Sequence, residues 1–284
     1  MTDPVTAANL SASPQQTSSA FCVQSASLML GKHSVLHSLS LSLPAAELTV
    51  IIGPNGAGKS TFLKLLAGDH RPSAGTVTFE GKPLSSLKAS QMAPRRAVMA
   101  QSSHLSFPFT VLEVVRLGAE VSAKGPDAVA RRAFDALEKV DMGHHAGSAY
   151  QDLSGGEQQR VQLARTLAQV WEPTGAEGAN FLFLDEPISN LDIRHQVDIM
   201  EQARRYADAG GGCIAVLHDL NIAAMFAHRL LVFKQGSIIA DGPPHRTLTD
   251  GLMEDVFDIP IRVNARPLKP STYILPQSLD RPQP

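Results

Sequence analysis

The spacing of apolar residues divides the chain into strand-like and helix-like segments. VLHSLSLSL (35–43) alternates apolar and polar positions, the pattern of a strand with one buried face. TVIIG (49–53) is short, β-branched and continuously apolar, as in a strand buried on both faces. TFLKLLAG (61–68) switches to helical spacing and ends on glycine, a helix-stopping residue. GTVTFEG (75–81) predicts another strand between glycines. From about 89 to 168 the spacing is mostly helical. VLEVVRLGAEV and AVARRAFDALEKV repeat apolar residues three and four apart. FLFLDE (181–186) and CIAVLHD (213–219) then alternate, as strands, with helical stretches, and LLVFKQGSIIADG (230–242) reads as a hairpin. The order predicts an α/β fold with a parallel core, an antiparallel β part near the front and a helical insert.

Three stretches follow from this pattern. Residues 1–22 form a polar lead that is expected to be disordered. Residues 23–258 form the folded unit, with its helical part at about 89–168. Residues 259–284 are a proline-rich tail.

Composition narrows the function classes. With 284 residues and 43% hydrophobic content, the chain can bury a sizeable core. Lys+Arg is 25 and Asp+Glu 27, a net charge of -2, which argues against a nucleic-acid-binding protein with a broad basic face. The two cysteines, Cys22 and Cys213, have no metal-ligand spacing and fit a reducing compartment. The first twenty residues lack the basic and apolar regions of a secretory signal. No apolar run reaches the roughly 18 residues that span a bilayer.

GPNGAGKST (53–61) lies between the strand TVII and the helix TFLKLL and matches G-x-x-x-x-G-K-[ST]. Average residue usage produces this pattern by accident in a chain of this length roughly 1% of the time, and its position between a strand and a helix makes chance less probable still. Its glycines let backbone N–H groups turn inward on a phosphate, and the helix N-terminus adds its positive dipole end. The residues expected to hold a nucleotide are Gly53, Pro54, Asn55, Gly56, Ala57, Gly58, Lys59, Ser60 and Thr61. Lys59 would reach the β- and γ-phosphates, and Ser60 would ligate Mg²⁺.

FLFLDEP places Asp185 and Glu186 at the carboxyl end of an apolar strand, the edge where parallel sheets gather ligands. Asp185 is a candidate Mg²⁺ ligand and Glu186 a candidate base for the attacking water. His218, at the end of CIAVLHD, is placed to contact the γ-phosphate or the water. Gln101, in VMAQSS, is a candidate contact for both Mg²⁺ and the water. His144 and His145 read as a loop pair.

LSGGEQQR (153–160) contains Ser154 and Glu157 in S-x-x-E spacing, a capping box at the head of a helix. Gly155 and Gly156 behind the cap leave backbone N–H groups approachable, so this helix start is also an anion site. The chain's own nucleotide is already enclosed by residues 53–60. The economical reading is that Ser154, Gly155 and Gly156 serve the ATP of a second copy in a two-fold pair.

In that order, GPNGAGKST, Gln101, LSGGEQQR, FLFLDEP, NLD (190–192) and His218 resemble the ATP-binding subunits of ABC transporters. The resemblance covers roughly residues 25–243. It implies a P-loop NTPase core with a parallel sheet, an antiparallel β subdomain and a helical subdomain. It implies ATP and Mg²⁺ as ligands, and a head-to-tail homodimer with two ATPs between its chains. Asp192 would lie in the loop coupling the two sites. Two transmembrane permease subunits and a periplasmic binding protein acting through them complete the implied complex, at the cytoplasmic face of the inner membrane. AVMAQSSHLSFPFTVLEVVRLG (97–118) is similar to the importers of iron siderophores, vitamin B12 and haem. The loop in LAQVWEPTGAEGANFLFLDEP, with RHQ (194–196) and VFDIPIRV, is most similar to the haem (hemin) importers.

There are three departures from the family pattern. Leu28 and Leu30 stand where an adenine-stacking aromatic is usual, which leaves aliphatic carbon or His33 to carry the base. Ile188 stands where Thr is common, and Asn190 where Ala is frequent. Two competing classes fit less well. A soluble repair or translation ATPase of this kind is expected to carry two cassettes, a long coiled coil or a basic face, and an exporter half is expected to carry a fused membrane domain. The histidines form no haem-ligation motif, and the resemblance implies that the cargo meets the binding protein and the permease instead.

Overall fold

The computed structural model describes residues 19–101, 107–189, 191–266 and 272–278. The chain opens with strands β1 (Ser19–Leu30) and β2 (His33–Pro44), followed by β3 (Glu47–Ile52) and helix α1 (Lys59–Ala67). Next come β4 (Ala74–Phe79), the short β5 (Lys82–Pro83), α2 (Ala89–Met92) and β6 (Arg96–Met99). Helices α3 (Val111–Ala119), α4 (Pro126–Lys139) and α5 (Gly155–Gln169) form the helical part. A small hairpin, β7 (Thr174–Gly175) and β8 (Gly178–Ala179), leads into β9 (Phe181–Asp185) and α6 (Ile193–Asp208). Then follow β10 (Gly212–Val216), α7 (Leu220–Phe226), β11 (Arg229–Lys234), β12 (Ser237–Gly242), α8 (Pro244–Thr247) and α9 (Asp250–Phe257).

Six strands form the central sheet in the order β12-β11-β3-β10-β9-β6. Its pairs are parallel except for the β11–β12 hairpin. A second, antiparallel sheet has the order β2-β1-β4-β5.

The central strands are apolar on both faces because each face has its own core. Side chains alternate across a strand. Leu48, Val50 and Ile52 of β3, Leu182 and Leu184 of β9, and Leu230 and Val232 of β11 face the core shared with α3–α7. Ile51, Phe181, Phe183, Leu231 and Phe233 face a second core with α1 and the antiparallel sheet. Phe21 joins the sheets there. Its ring lies 4.7 Å from Phe79 and 5.0 Å, edge-on, from Phe181. Such pairs add about 0.5–1.5 kcal/mol beyond their burial.

Two boundaries differ from the expected ones, and one hairpin is additional. Strand β1 begins at Ser19, so the end of the polar lead is already sheet, with Phe21 fully buried. Residues 1–18 lie outside the described residues. Strand β6 falls inside the span expected to be helical but pairs in parallel with β9, because Ala97 and Met99 are apolar enough to close the sheet edge. The helical part proper therefore begins at α3. The β7–β8 hairpin was not expected. Buried Arg95 anchors it, reaching Ala179 O at 3.0 Å, Glu80 at 2.5 Å and Glu177 at 3.7 Å. In the tail, residues 276–278 form a 3-10 turn with Pro276 buried, and Gln277 Nε2 donates to Asn221 O of α7 at 2.9 Å. Among the described residues, no helix is long and apolar enough to cross a membrane.

Candidate functional site

Four parallel strands, β3, β10, β9 and β6, deliver the site to one sheet edge. Strand β3 ends at Ile52, and the loop 53–58 turns directly into α1. A Cβ on Gly53, where φ is 145°, would lie 2.1 Å from Phe233 O, so only glycine lets the loop pass β11. Gly236 N donates to Ala57 O at 2.9 Å and pins the loop's far side. Helix α1 starts behind Gly58, at φ 96°, with no side-chain cap. Its first N–H groups are thus left without a side-chain partner, as at helix starts that bind anions. Asn55 and Gly56 are exposed, Pro54, Ser60 and Thr61 half-buried, and Ala57 and Gly58 buried.

Lys59 is buried at 5% exposure, and its Nζ donates to Gly53 O at 2.8 Å and Pro54 O at 2.9 Å. Burial holds its ammonium below the ordinary lysine range, against the attraction of Glu186 and Asp185. Ser60 Oγ donates to Asp185 Oδ1 at 2.8 Å, tying the loop to the end of β9. Burial pushes the Asp185 carboxyl up, and the Ser60 hydrogen bond opposes that shift.

Glu186 lies one residue beyond β9, and the two other candidate residues meet on its carboxylate, a contact not expected of either. His218 Nε2 is 2.6 Å from Oε1, and Gln101 Nε2 donates to Oε2 at 2.8 Å. His218 follows β10 by two residues and Gln101 follows β6 by two. The strand order β10-β9-β6 sets them on either side of β9. Glu186 itself has φ 52°, a left-handed conformation uncommon for a residue with a Cβ.

The second helix start is built differently. Ser154 Oγ accepts from Glu157 N at 3.4 Å, and Glu157 Oε2 accepts from Ser154 N at 2.8 Å and from Ser154 Oγ at 2.7 Å. The capping box is therefore present, and its hydrogen bonds from Ser154 hold the Glu157 carboxyl below the usual range. Glu157 also lies 3.5 Å from His145 Nε2, a contact the loop reading of that histidine did not anticipate. Ser154 and Gly155 are exposed, and a Cβ on Gly155 would meet nothing within 4 Å. Among the described residues, no hydrogen bond joins Ser154, Gly155 or Gly156 to residues 53–61.

Asp192 caps α6, accepting from His195 N at 3.0 Å with His195 Nδ1 at 2.9 Å. The His195 backbone hydrogen bond holds its carboxyl below the usual range. Ile188 is buried and Asn190 lies outside the described residues. At the β1–β2 turn, Leu28 is buried in the antiparallel core and cannot reach a base, whereas Leu30 and His33 are exposed. Gln159 is a further contact of this site that residue spacing does not announce. Its Nε2 donates to Glu186 O at 2.8 Å and to Ser189 Oγ at 3.2 Å. Only its presence in LSGGEQQR pointed to it.

Residues 36–189 match the ABC transporter family. The chain is 48% identical over 252 residues to the hemin import ATP-binding protein HmuV of Rhizobium meliloti, covering 89% of this chain and 96% of that protein. It is 49% identical over 234 residues to the protein of that name from Mesorhizobium japonicum, covering 82% and 89%. Among solved structures, it is similar to a dimeric post-hydrolysis ATP-binding cassette bound to ADP and Pi, with TM-score 0.69, 25% identity and coverage of 79% and 98%. It is also similar to cbiO1 from Clostridium perfringens, part of the ABC transporter complex cbiONQ, with TM-score 0.68, 26% identity and coverage of 81% and 90%. The phosphate loop, the acidic strand end and the second helix start thus sit on a known scaffold, and the chain belongs to the ABC transporter family as one of its ATP-hydrolysing subunits.

Proposed function

We propose that this chain is the ATP-hydrolysing subunit of a haem (hemin) importer. It works as a homodimer beneath two transmembrane permease subunits, at the cytoplasmic face of the inner membrane. A periplasmic binding protein delivers the cargo to the permease. Similarity to the hemin import proteins over nearly their full length supports the cargo.

The observation that carries the chemistry is the meeting of Gln101 and His218 on the two oxygens of Glu186, beside the Ser60–Asp185 pair. Residues 53–61 wrap the phosphates with backbone N–H groups, and Lys59 supplies a cation. Glu186 accepts a proton from the attacking water. His218 and Gln101 fix the carboxylate's direction, so the water is held in line. The Ser60 hydroxyl, the Asp185 carboxylate and the Gln101 amide offer hard oxygen donors, which fit Mg²⁺. When bound, Mg²⁺ neutralises phosphate charge. Ser154, Gly155 and Gly156 approach the γ-phosphate held by the partner, and Asp192 couples the two sites.

The test reconstitutes the chain with its permease in liposomes and measures ATPase activity and uptake. Haem-loaded binding protein is expected to stimulate both above its empty form. Stimulation only by a ferric-siderophore-loaded binding protein would reject haem and leave the catalytic roles standing.

A further inference from the structure

Glu186 must present its carboxylate from a backbone conformation that residues with a Cβ rarely adopt, φ 52°. Something has to hold it there. Its N–H donates to Val216 O at 3.2 Å. Its carbonyl accepts from Gln159 Nε2 at 2.8 Å and from Ser189 Oγ at 3.0 Å. Gln159 Nε2 also donates to Ser189 Oγ at 3.2 Å, so one amide group ties both ends of the turn. Both Gln159 and Ser189 are half-buried, where a lost hydrogen bond is not simply replaced by bulk water.

Gln159 lies on α5, whose first residue is Gly155. Gln159 lies four positions further along the helix, a rise of about 6 Å. Over that length a helix moves as a rigid piece. A shift of its exposed N-terminus therefore reaches the Gln159 amide, and through it the Glu186 backbone. A turned backbone at Glu186 would in turn disturb its bonds to His218 and Gln101.

We propose that Gln159 is a positioning residue for Glu186, and that each α5 therefore serves two ATP sites at once. Its N-terminus meets the partner's nucleotide, while Gln159 sets the general base of its own chain. Arrival of the partner's phosphate at Ser154 and Gly155 is thereby reported to the chain's own Glu186. This rests on the proposed roles of Glu186 and of the shared site.

Gln159→Met keeps the side chain's length and removes the donor, and Gln159→Lys restores one. In the homodimer, Gln159→Met is expected to lower kcat about three- to tenfold with KM for ATP and melting temperature unchanged, and Gln159→Lys to recover most of the rate. An unchanged kcat, or a loss confined to KM, overturns the proposal. The direction of action is read in mixed dimers of a Ser154→Arg chain and a Lys59→Ala chain. Their one competent site uses the Glu186 of the Ser154→Arg chain and the Ser154 of the other. Gln159→Met is expected to slow turnover when placed in the Ser154→Arg chain, and not when placed in the Lys59→Ala chain. Equal loss from both placements would mean that Gln159 acts through the helix start, and would overturn the proposal. If the mixed dimer without Gln159→Met is already inactive, either the shared site or the report through the Ser154→Arg chain has been lost, and the homodimer kcat alone decides the role of Gln159.

Discussion

Helices α1 and α5 both begin on glycine-rich turns, yet they are made in opposite ways. Helix α1 has no side-chain cap, and its leading loop is forced by contacts inside the chain. The position of Gly53 against Phe233 O excludes any other residue. Helix α5 carries a Ser154–Glu157 capping box, which holds the Ser154 and Glu157 N–H groups and leaves those of Gly155 and Gly156 uncovered. The open space around Gly155 means that nothing in its own chain requires a glycine there. One helix start has no side-chain cap and is tightly packed within its own chain, as fits the proposed phosphate loop. The other is capped and bare, as fits a surface that meets something outside the chain. A glycine that local packing does not require points to a partner more strongly than one that it does.

The largest expected effect breaks the nucleotide side of this comparison. Glu186→Gln should lower kcat by about 100-fold or more while ATP still binds. With ATP, the variant should run as a dimer on size exclusion. Turnover within about tenfold of wild type would remove Glu186 from its role.

The glycines sharpen the comparison directly. Gly155→Ala should cost at least about tenfold in ATPase activity, because its Cβ occupies the approach to a phosphate. Its melting temperature should hold or rise, since alanine is the better helix former by up to about 1 kcal/mol. Gly53→Ala should instead destabilise the isolated chain, by about 1–3 kcal/mol of overpacking and strain, visible in thermal melts. If both variants melt alike, the contrast is wrong.

The smallest effect is electrostatic. Burial raises the Asp185 pKa in the folded state, so its charged form costs stability at neutral pH. That cost is absent below the ordinary aspartate range and returns as pH rises through the folded value. Asp185→Asn should therefore melt higher than wild type at pH 7, with the gap closing near pH 4. The same variant should lose ATPase activity. A lower melting temperature at pH 7 would contradict the burial argument.

What could be read in advance follows from how local each signal is. Residues 53–61 carry their whole chemistry in consecutive positions, so strand, loop and helix were all legible. The strand ends at Asp185 and His218 were legible because apolar runs stop there. The β-like run before Gln101 is legible and forms β6, but four residues beside a helical pattern carry too little periodicity to move the start of the helical span past it. The link from Gln159 to Glu186 joins residues 27 apart, and nothing in the spacing announces it. Arg95 and the β7–β8 hairpin were hidden for the same reason, since their ion pairs form only once two sheets meet. The capping box was legible, but the open space around Gly155 arises only from the way the folded chain leaves that helix start uncovered.

The most direct measurement mixes Lys59→Ala chains with Ser154→Arg chains and assays ATP hydrolysis. Each variant alone should be inactive. The mixture should recover up to about a quarter of the wild-type rate, since random pairing makes half the dimers mixed, each with one competent site. A mixture as inactive as its components, or a Ser154→Arg chain that hydrolyses ATP at full rate alone, would contradict a site shared between two chains.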